Sequence, residues 1–463
     1  MIKAVRGTRD LLPPDTALWN FVEATARDVF RAYNFQEIRT PIFEETQLFA
    51  RSVGEETDIV SKEMYTWEDR GGTQSEKFSE FLDVVARAQQ DPAYKATLDN
   101  TELYNKYLAQ GRLRGQSLTL RPENTAGVVR AYIEHKLWDR GLNKLFYIGP
   151  QFRRERPQKG RYRQFYQIGA EAIGPPTSGS ESPARDTEIL EMLATFLDRL
   201  GITGWTLELN SVGCPADRAR FNEALKKALE PVVSQMCDDC QRRAVTNPLR
   251  VFDCKVPEDQ PIIDGLPRIS QFLDEGCRKH FDEVKEILKA VGVEFRENDR
   301  LVRGLDYYTR TAFEFTHGAL GAQNAILGGG RYDGLSESLG GPQAPGIGFA
   351  IGEDRLVMSV GKSAEEVSCK PDVYIAPLGE GMNREAARLA RELRRHDLVV
   401  ELGDESFRLK KSFDTADKLG ARFALIVGEN EVKAGAFSLK NLVTGEQVSV
   451  PRADLAQAIQ VRK

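Results

Sequence analysis

The sequence predicts an α+β chain in which an antiparallel strand pair lies beside long amphipathic helices and a separate α/β domain follows. Three observations carry that expectation. Two runs rich in aromatic and β-branched residues surround a basic loop between Leu145 and Gly174, LFYIGPQFRRERPQKGRYRQFYQIGAEAIG, and read as an antiparallel hairpin. A helical period follows Pro13 and Pro14, with Leu18, Val22, Ala26, Val29 and Tyr33 on one face. Beyond residue 370 strand-like and helix-like runs alternate, the pattern of a largely parallel sheet with covering helices.

The chain has 463 residues, too many for one compact core, so two or three domains are expected. Apolar residues at 41% and charged ones at 29% describe a soluble globular protein. With 64 Lys and Arg against 69 Asp and Glu the formal net charge is -5, so any contact with RNA must come from local basic patches. The first fifteen residues contain no apolar h-region and no run approaches bilayer length, which points to a cytoplasmic protein without a membrane partner. Six cysteines in so long a chain suit reduced thiols better than a disulfide framework.

In chain order, Asp15 is the candidate N-cap of the first helix. The run Phe35 to Glu44 reads as a strand interrupted by Pro41, which cannot donate to a ladder and so belongs at an edge or boundary. Residues 73–115 hold Phe78, Leu82 and Val85 at helical spacing and a second helical run, TELYNKYLAQG, and are expected to form a helical excursion from the surface. A helix over 184–200 and a strand from Trp205 to Val212 follow. Residues 213–300, more polar and rich in helical stretches, read as an insertion domain. A linker is expected near 361–370. After it come PDVYIAPLG, a helix over Asn383 to Arg395, LVVELG, a helix near Phe407 to Leu419, and FALIVG.

Along the hairpin, side chains alternate between faces, so Gln151, Arg153 and Glu155 share one face, and Phe165, Gln167, Gly169 and Glu171 another of the same kind. Specific hydrogen-bonding groups beside Arg156, Lys159, Arg161 and Arg163 suit an anionic, planar ligand, because guanidinium groups grip phosphates through paired bonds. A solvated hairpin with cross-strand Arg/Glu pairs fits the same residues. In SLTLRPENT, Glu123 ends an extended run and could hold an ammonium group; a carboxylate capping a following helix fits as well. In LVRGLDYYTRTAFEF, Arg303 precedes a glycine, and Tyr307 and Tyr308 offer aromatic faces and hydroxyls, although adjacent tyrosines also serve as packing. ILGGGRYDGL lacks the P-loop lysine, and its glycines allow close backbone approach to a ligand or strand. GIGFAIGEDRLVM is a small-residue strand leading into a helix that carries Arg355, which could otherwise pair with Glu353 or Asp354. Cys214, Cys237, Cys240 and Cys254 include a C-x-x-C and could surround zinc, but their irregular spacing favours ordinary core thiols, and no metal site is assigned. No G-x-S-x-G or H-E-x-x-H is present, and the four histidines are scattered.

Several of these stretches together resemble one family. F-R-x-E at Phe152 to Glu155, with the basic loop and the strand after it, resembles motif 2 of class II aminoacyl-tRNA synthetases, and RPQKGRYRQFYQIGAE resembles the histidyl-tRNA synthetase version. Pro41 matches the proline of motif 1 (35–44), the dimer-interface element, and residues 346–358 look like motif 3. MYTWEDRGG and SLTLRPENTAGVVRAYIEH look like neighbouring parts of the same core, and LVRGLDYYTRTAFEF resembles its histidine-specific segment. The 73–115 stretch has no counterpart in that pattern.

The resemblance implies a class II catalytic domain over 1–362, an antiparallel sheet flanked by helices, with the insertion domain at 213–300 and an α/β anticodon-binding domain at 370–463. It implies a ligase that activates histidine with ATP and Mg²⁺ and transfers it to tRNA(His), acting as a homodimer. By the same resemblance Arg153 and Arg303 act at the reacting centre. Glu123, Asn124, Thr125, Gln167, Glu171, Tyr307 and Tyr308 join them around histidine. Arg153, Glu155, Arg161, Glu171 and Arg355 serve ATP. Arg156 and Gln158 are the candidates for the tRNA acceptor end. A synthetase-like regulatory subunit that senses histidine for its biosynthesis is the alternative; Arg153, Arg355 and the C-terminal domain favour the enzyme. A generic RNA-binding hairpin would leave Glu123 and the RGLDYY segment without a role.

Overall fold

The computed structural model describes residues 2–54, 57, 59–69, 116–158, 160–305, 307–318 and 324–461. The helical excursion expected at 73–115 and Lys159 of the hairpin loop lie outside the described residues. The chain divides into two compact units, Met1–Ser363 and Ala364–Lys463.

Helix α1 spans Asp15–Ala32 and buries Trp19, Val22, Ala26, Val29 and Phe30. Its buried stripe is the predicted one except at the ends, where Trp19 and Phe30 replace Leu18 and Tyr33. Asp15 is not the N-cap: Pro14 precedes it with a helical backbone, leaving Asp15 in the first turn, where its charge favours the helix dipole. The following run divides at its proline. Strand β1 (Gln36–Glu37) joins one sheet, and β2 (Phe43–Glu45) crosses to another with β3 (Tyr65–Asp69) and β4 (Gln116–Leu120), in the order β2-β4-β3. Helix α2 (Thr46–Val53) follows β2 directly. Arg121 staples the break, donating to the carbonyls of Thr40 at 3.0 Å, Pro41 at 3.3 Å and Pro150 at 2.9 Å.

After helix α3 (Thr125–Glu134) come the two arms of the hairpin, β5 (Asn143–Phe152) and β6 (Gln164–Ile173), paired antiparallel from Asn143 opposite Ile173 to Phe152 opposite Gln164. Helix α4 (Pro183–Arg199) and strand β7 (Trp205–Ser211) lead into the insertion. There α5 (Pro215–Leu229), α6 (Asp238–Thr246), α7 (Gln260–Asp264) and several 3₁₀ turns enclose a small core around Phe221, Leu225, Val251, Phe252 and Ile263. The insertion is shorter than the sequence suggests. Helix α8 (Glu275–Val291) is amphipathic and turns Phe281, Val284 and Leu288 into the main core, and β8 (Arg296–Glu297) pairs with β7. Residues 275–297 are therefore built into the body of the large sheet.

Strands β9 (Thr309–His317), β10 (Ala325–Arg331) and β11 (Gly346–Gly352) complete an eight-stranded sheet in the order β1-β5-β6-β11-β10-β9-β7-β8, and α9 (Glu353–Ser359) follows. The six central strands are antiparallel, as expected; the two-residue strands at the edges pair in parallel, so the sheet is mixed. One face is covered by α1, α4 and α8. Phe30 sits at its centre, with ring centroids 5.3 Å from Phe146, 5.7 Å from Phe196 and 5.9 Å from Phe349. Burying three helices on one face leaves the opposite face free to carry chemistry.

A polar knot crosses this apolar layer. Arg331, at the end of β10 and fully buried, pairs with Asp186 on α4 and donates to the Ser180 carbonyl at 2.7 Å. Asp186 also receives Thr311 Oγ1 of β9 at 2.5 Å and lies 2.8 Å from His280 Nε2 of α8. Four elements thus share one buried charge pair, which the sequence pattern does not disclose.

The second unit holds β12 (Val373–Leu378), α10 (Met382–Arg394), β13 (Val400–Leu402), α11 (Leu409–Lys418) and β14 (Phe423–Gly428) in the predicted alternation. Strand β12 pairs in parallel with β13 and β14. An antiparallel hairpin of β15 (Ala436–Asn441) and β16 (Gln447–Pro451), absent from the sequence reading, extends the order to β13-β12-β14-β15-β16. Its outer strand, QVSVP, alternates with only Val448 and Val450 turned inward, a run of five residues too short to stand out from a loop.

Candidate active site

The free face of the sheet is floored by small residues. A Cβ on Gly328 would overlap the Arg303 guanidinium, one on Gly348 would overlap the Glu171 carboxylate, and one on Gly169 would overlap the Tyr147 hydroxyl. The glycines of β10 and β11 therefore make room for the protein's own functional groups, and not only for a ligand or strand. Above them lies a cleft of about 310 Å³.

Ten of the predicted residues line that one cleft: Glu123 and Thr125 at the start of α3, Arg153, Glu155, Arg161 and Gln167 from the hairpin, Arg303, Tyr307 and Tyr308 from the segment before β9, and Arg355 on α9. Asn124 and Glu171 are buried against it. Asn124 Oδ1 accepts from Thr40 Oγ1 at 2.6 Å, joining this loop to the proline break after β1. Arg156 and Gln158 are exposed at the hairpin tip, where Gln158 bridges back to Arg161.

Glu123 combines both roles considered for it. Its two oxygens cap α3, accepting from the amides of Thr125 at 2.7 Å and Ala126 at 3.0 Å, while the carboxylate faces the cleft beside Arg153. Burial raises its pKa, and those two amides and Arg153 pull the other way. Glu171 is completely buried. One oxygen accepts from Thr125 Oγ1 at 2.7 Å, the other has no partner in hydrogen-bond geometry among the described residues, and burial pushes the carboxyl up to about 8. The paired tyrosines stand with ring centroids 4.7 Å apart, their phenols held above the usual range by burial, so that they remain neutral donors.

The guanidinium groups are held from behind. Arg153 Nε donates to the Pro122 carbonyl at 2.9 Å, and its head lies 5.2 Å from the centre of the Phe165 ring. Arg303 Nη1 donates to Glu314 Oε1 at 2.7 Å. Arg355 Nη1 reaches the Ala325 carbonyl at 3.3 Å, and Arg161 lies 3.5 Å from Glu155. The cleft grades from Glu123, Glu171 and the two phenols, which Arg153 and Arg303 adjoin, to Arg161 and Arg355, which neighbour one another beside Glu155. Sequence reasoning missed Glu314 and Arg121, and it put Phe165 on this face without a role. Glu314 carried a usable signal, since a charged residue between Phe313 and Phe315 at the centre of an alternating strand must have a partner on the other face.

Glu171 provides a pH test. Its folded pKa lies above the ordinary 4.5, so the native protein holds a proton that the unfolded chain has lost, and its contribution to stability is full below about 4.5 and declines as pH rises to about 8. Melting curves of the ligand-free protein and of Glu171→Gln should therefore diverge across that window, the wild type losing ground. Parallel curves would show that the carboxyl ionises normally.

A sheet with six antiparallel central strands bearing such a cleft, with a basic hairpin on one side and a small-residue strand running into an arginine-bearing helix on the other, is the architecture of class II aminoacyl-tRNA synthetases. Residues 109–356 match the family model for histidyl-tRNA synthetase, and residues 372–462 that for the anticodon binding domain. The chain belongs to the histidyl-tRNA synthetase family. It is 64% identical over 459 residues to the histidine–tRNA ligase of Koribacter versatilis, covering 98% of this chain and 95% of that one. It is 55% identical over 458 residues to the histidine–tRNA ligase of Solibacter usitatus, covering 98% of each. The crystal structure of apo S. aureus histidyl-tRNA synthetase superposes with a TM-score of 0.74 at 35% identity, covering 99% of this chain and all of that one.

Proposed function

We propose that this cleft joins histidine to ATP and passes the activated histidine to tRNA(His). The observation that carries the reading is the convergence of four guanidinium groups from three separate segments, Arg153 and Arg161 of the hairpin, Arg303 and Arg355, on a pocket whose inner end holds Glu123, Glu171 and two phenols. Anionic phosphates suit the outer end. An amino acid with a cationic ammonium and a polar ring suits the inner one.

In this mechanism the histidine carboxylate attacks the α-phosphate in line and pyrophosphate departs. The 3′-hydroxyl of the tRNA then attacks the activated carbonyl and releases AMP. No covalent enzyme intermediate is needed, so positioning and charge stabilisation supply the acceleration. Glu123, Gln167 and Glu171, with Asn124 and Thr125 shaping their loop, hold the amino acid, and Tyr307 and Tyr308 line the imbedding wall for its ring. Arg153 and Arg303 meet the carboxylate and α-phosphate, while Arg161 and Arg355 meet the outer phosphates. Mg²⁺ would enter with the nucleotide, and Glu155, between Arg153 at 3.9 Å and Arg161 at 3.5 Å, is the hard oxygen donor at that end that could hold it. Arg156 and Gln158 reach outward to the acceptor end of the tRNA, and the second unit reads unstacked anticodon bases.

A homodimer fits the small sheet, which exposes Ile42, Phe43 and Trp67 beside the motif 1 proline. A cytoplasmic location accompanies this function. Among the described residues no helix is long and apolar enough to cross a membrane. Full-length relatives named as ligases disfavour the regulatory alternative.

The deciding experiment is histidine-dependent exchange between pyrophosphate and ATP, followed by charging of tRNA(His). Both are expected. Histidine binding without exchange would replace this reading with the regulatory one.

A further inference from the structure

The four cysteines considered together in the sequence do not meet. Cys214 lies with Asp217, Asp274 and Cys277, whereas Cys237, Cys240 and Cys254 gather around Asp259, and within each group all donor atoms are within 4.8 Å of one another. The two groups differ in what their carboxylates already do. Asp217 accepts from the amides of Cys214 at 3.2 Å and Asp274 at 3.1 Å and pairs with Arg220 at 2.6 Å, and Asp274 caps α8 through the Cys277 amide at 2.7 Å. Capping and pairing explain that cluster without a ligand.

Asp259 is different. It is 2% exposed and has no cationic side chain paired with it among the described residues. Its donors are the Cys237 amide, at 3.1 and 3.2 Å, and the Cys254 thiol at 3.2 Å. A carboxylate with so little exposed surface ordinarily takes a cation or a full set of donors. Three thiols surround it instead, Cys240 fully buried and Cys254 nearly so.

The geometry points to a structural zinc ion held by Cys237, Cys240, Cys254 and Asp259. Zinc takes sulfur at about 2.3 Å and carboxylate oxygen at about 2.0–2.2 Å in a tetrahedron, so neighbouring donors stand roughly 3.4–3.8 Å apart. Here Cys237 Sγ lies 3.9 Å from Cys254 Sγ, which lies 3.2 Å from Asp259 Oδ2. The local backbone is arranged for it. Cys237 is the N-cap of α6 and Cys240 sits in the first turn, which turns both sulfurs toward one point. Cys254 closes the 3₁₀ turn Pro248–Asp253, and the Val256 amide approaches its sulfur at 3.4 Å, a donor that stabilises thiolate. Three soft sulfurs select zinc over calcium or magnesium, and four protein ligands make a closed site.

The insertion has reason to need such a staple. Beyond the fifteen-residue α5 its elements are short, nine residues in α6 and five in α7, and its core is small. The staple also bears on the cleft from outside. Arg250, in the turn between Cys240 and Cys254, donates to the Gly304 carbonyl at 2.6 Å, next to Arg303.

The full chain, expressed with zinc in the medium and passed through a desalting column, should carry about one zinc per chain by elemental analysis. Cobalt-exchanged protein should show sulfur-to-cobalt charge-transfer absorption and tetrahedral d–d bands. Cys240→Ser and Asp259→Ala should lose the metal; Cys214→Ser and Cys369→Ser should keep it. The cobalt spectrum of the unaltered protein decides the matter even if a variant fails to fold. Background zinc with no charge-transfer band would overturn the proposal, as would metal lost in Cys214→Ser and retained in Cys240→Ser. So would a Cys237–Cys240 disulfide in the native protein by mass spectrometry.

Discussion

Arg303→Ala is expected to reduce histidine-dependent pyrophosphate exchange by at least about 10²–10³-fold, the cost of removing one preorganised donor from a reacting centre, while leaving the melting temperature nearly unchanged. The guanidinium lies in the cleft against Gly328 and is oriented by Glu314 at 2.7 Å, so its loss removes a positioned charge and little packing. Glu314, whose side chain is 24% exposed, is then left with access to water, where an unpaired carboxylate is tolerable. Arg303→Lys should recover only part of the rate, because an ammonium supplies charge without the planar fork. Gly328→Ala should act in the same direction, since its methyl group would occupy the space of the guanidinium. Exchange within a few-fold of the unaltered protein in Arg303→Ala would remove this residue from the reacting centre.

Asp186→Ala carries the largest expected cost in stability. Among the described residues it strips the one carboxylate that reaches both the Arg331 guanidinium, which has no exposed surface, and His280. Breaking one partner out of a buried pair costs about 3–5 kcal/mol; Asp333, 3.1 Å from Arg331 Nε, still answers part of the charge, which sets the expectation at the lower end of that range. Calorimetry should show the transition of the larger unit falling accordingly. The pH dependence has a definite sign. Burial by itself would raise the Asp186 pKa, but Arg331 and His280 outweigh it and hold the carboxyl below its ordinary 3.8. Its contribution is present above that value and is lost as pH falls through the depressed one. Asp186→Asn should therefore be much less stable than the unaltered protein at neutral pH and approach it only in strong acid. Equal stability at pH 7 would mean that the knot is dispensable.

Much of the cleft was legible because its chemistry is concentrated in contiguous strings. Strand alternation put Gln167 and Glu171 on one side of β6 and Ile168 and Ala170 on the other, and the packing follows that division: Ile168 and Ala170 enter the helix-covered core. The first helix, the hairpin and the C-terminal alternation were readable for the same reason, since local period and local burial agree in them.

What the amino-acid order determined by itself was the periodic elements and the segments able to bear phosphate-gripping and ammonium-holding groups, because both are properties of neighbours along the chain. Only the tertiary structure decided which distant groups share a space. It brought Glu314 behind Arg303, gathered Asp186, Arg331, His280 and Thr311 from four elements, separated Cys214 from the other three thiols, and drew Asp259 in to replace it. Those pairings depend on strand order and helix docking, which follow from the burial of whole faces and leave no mark in the spacing of any one segment.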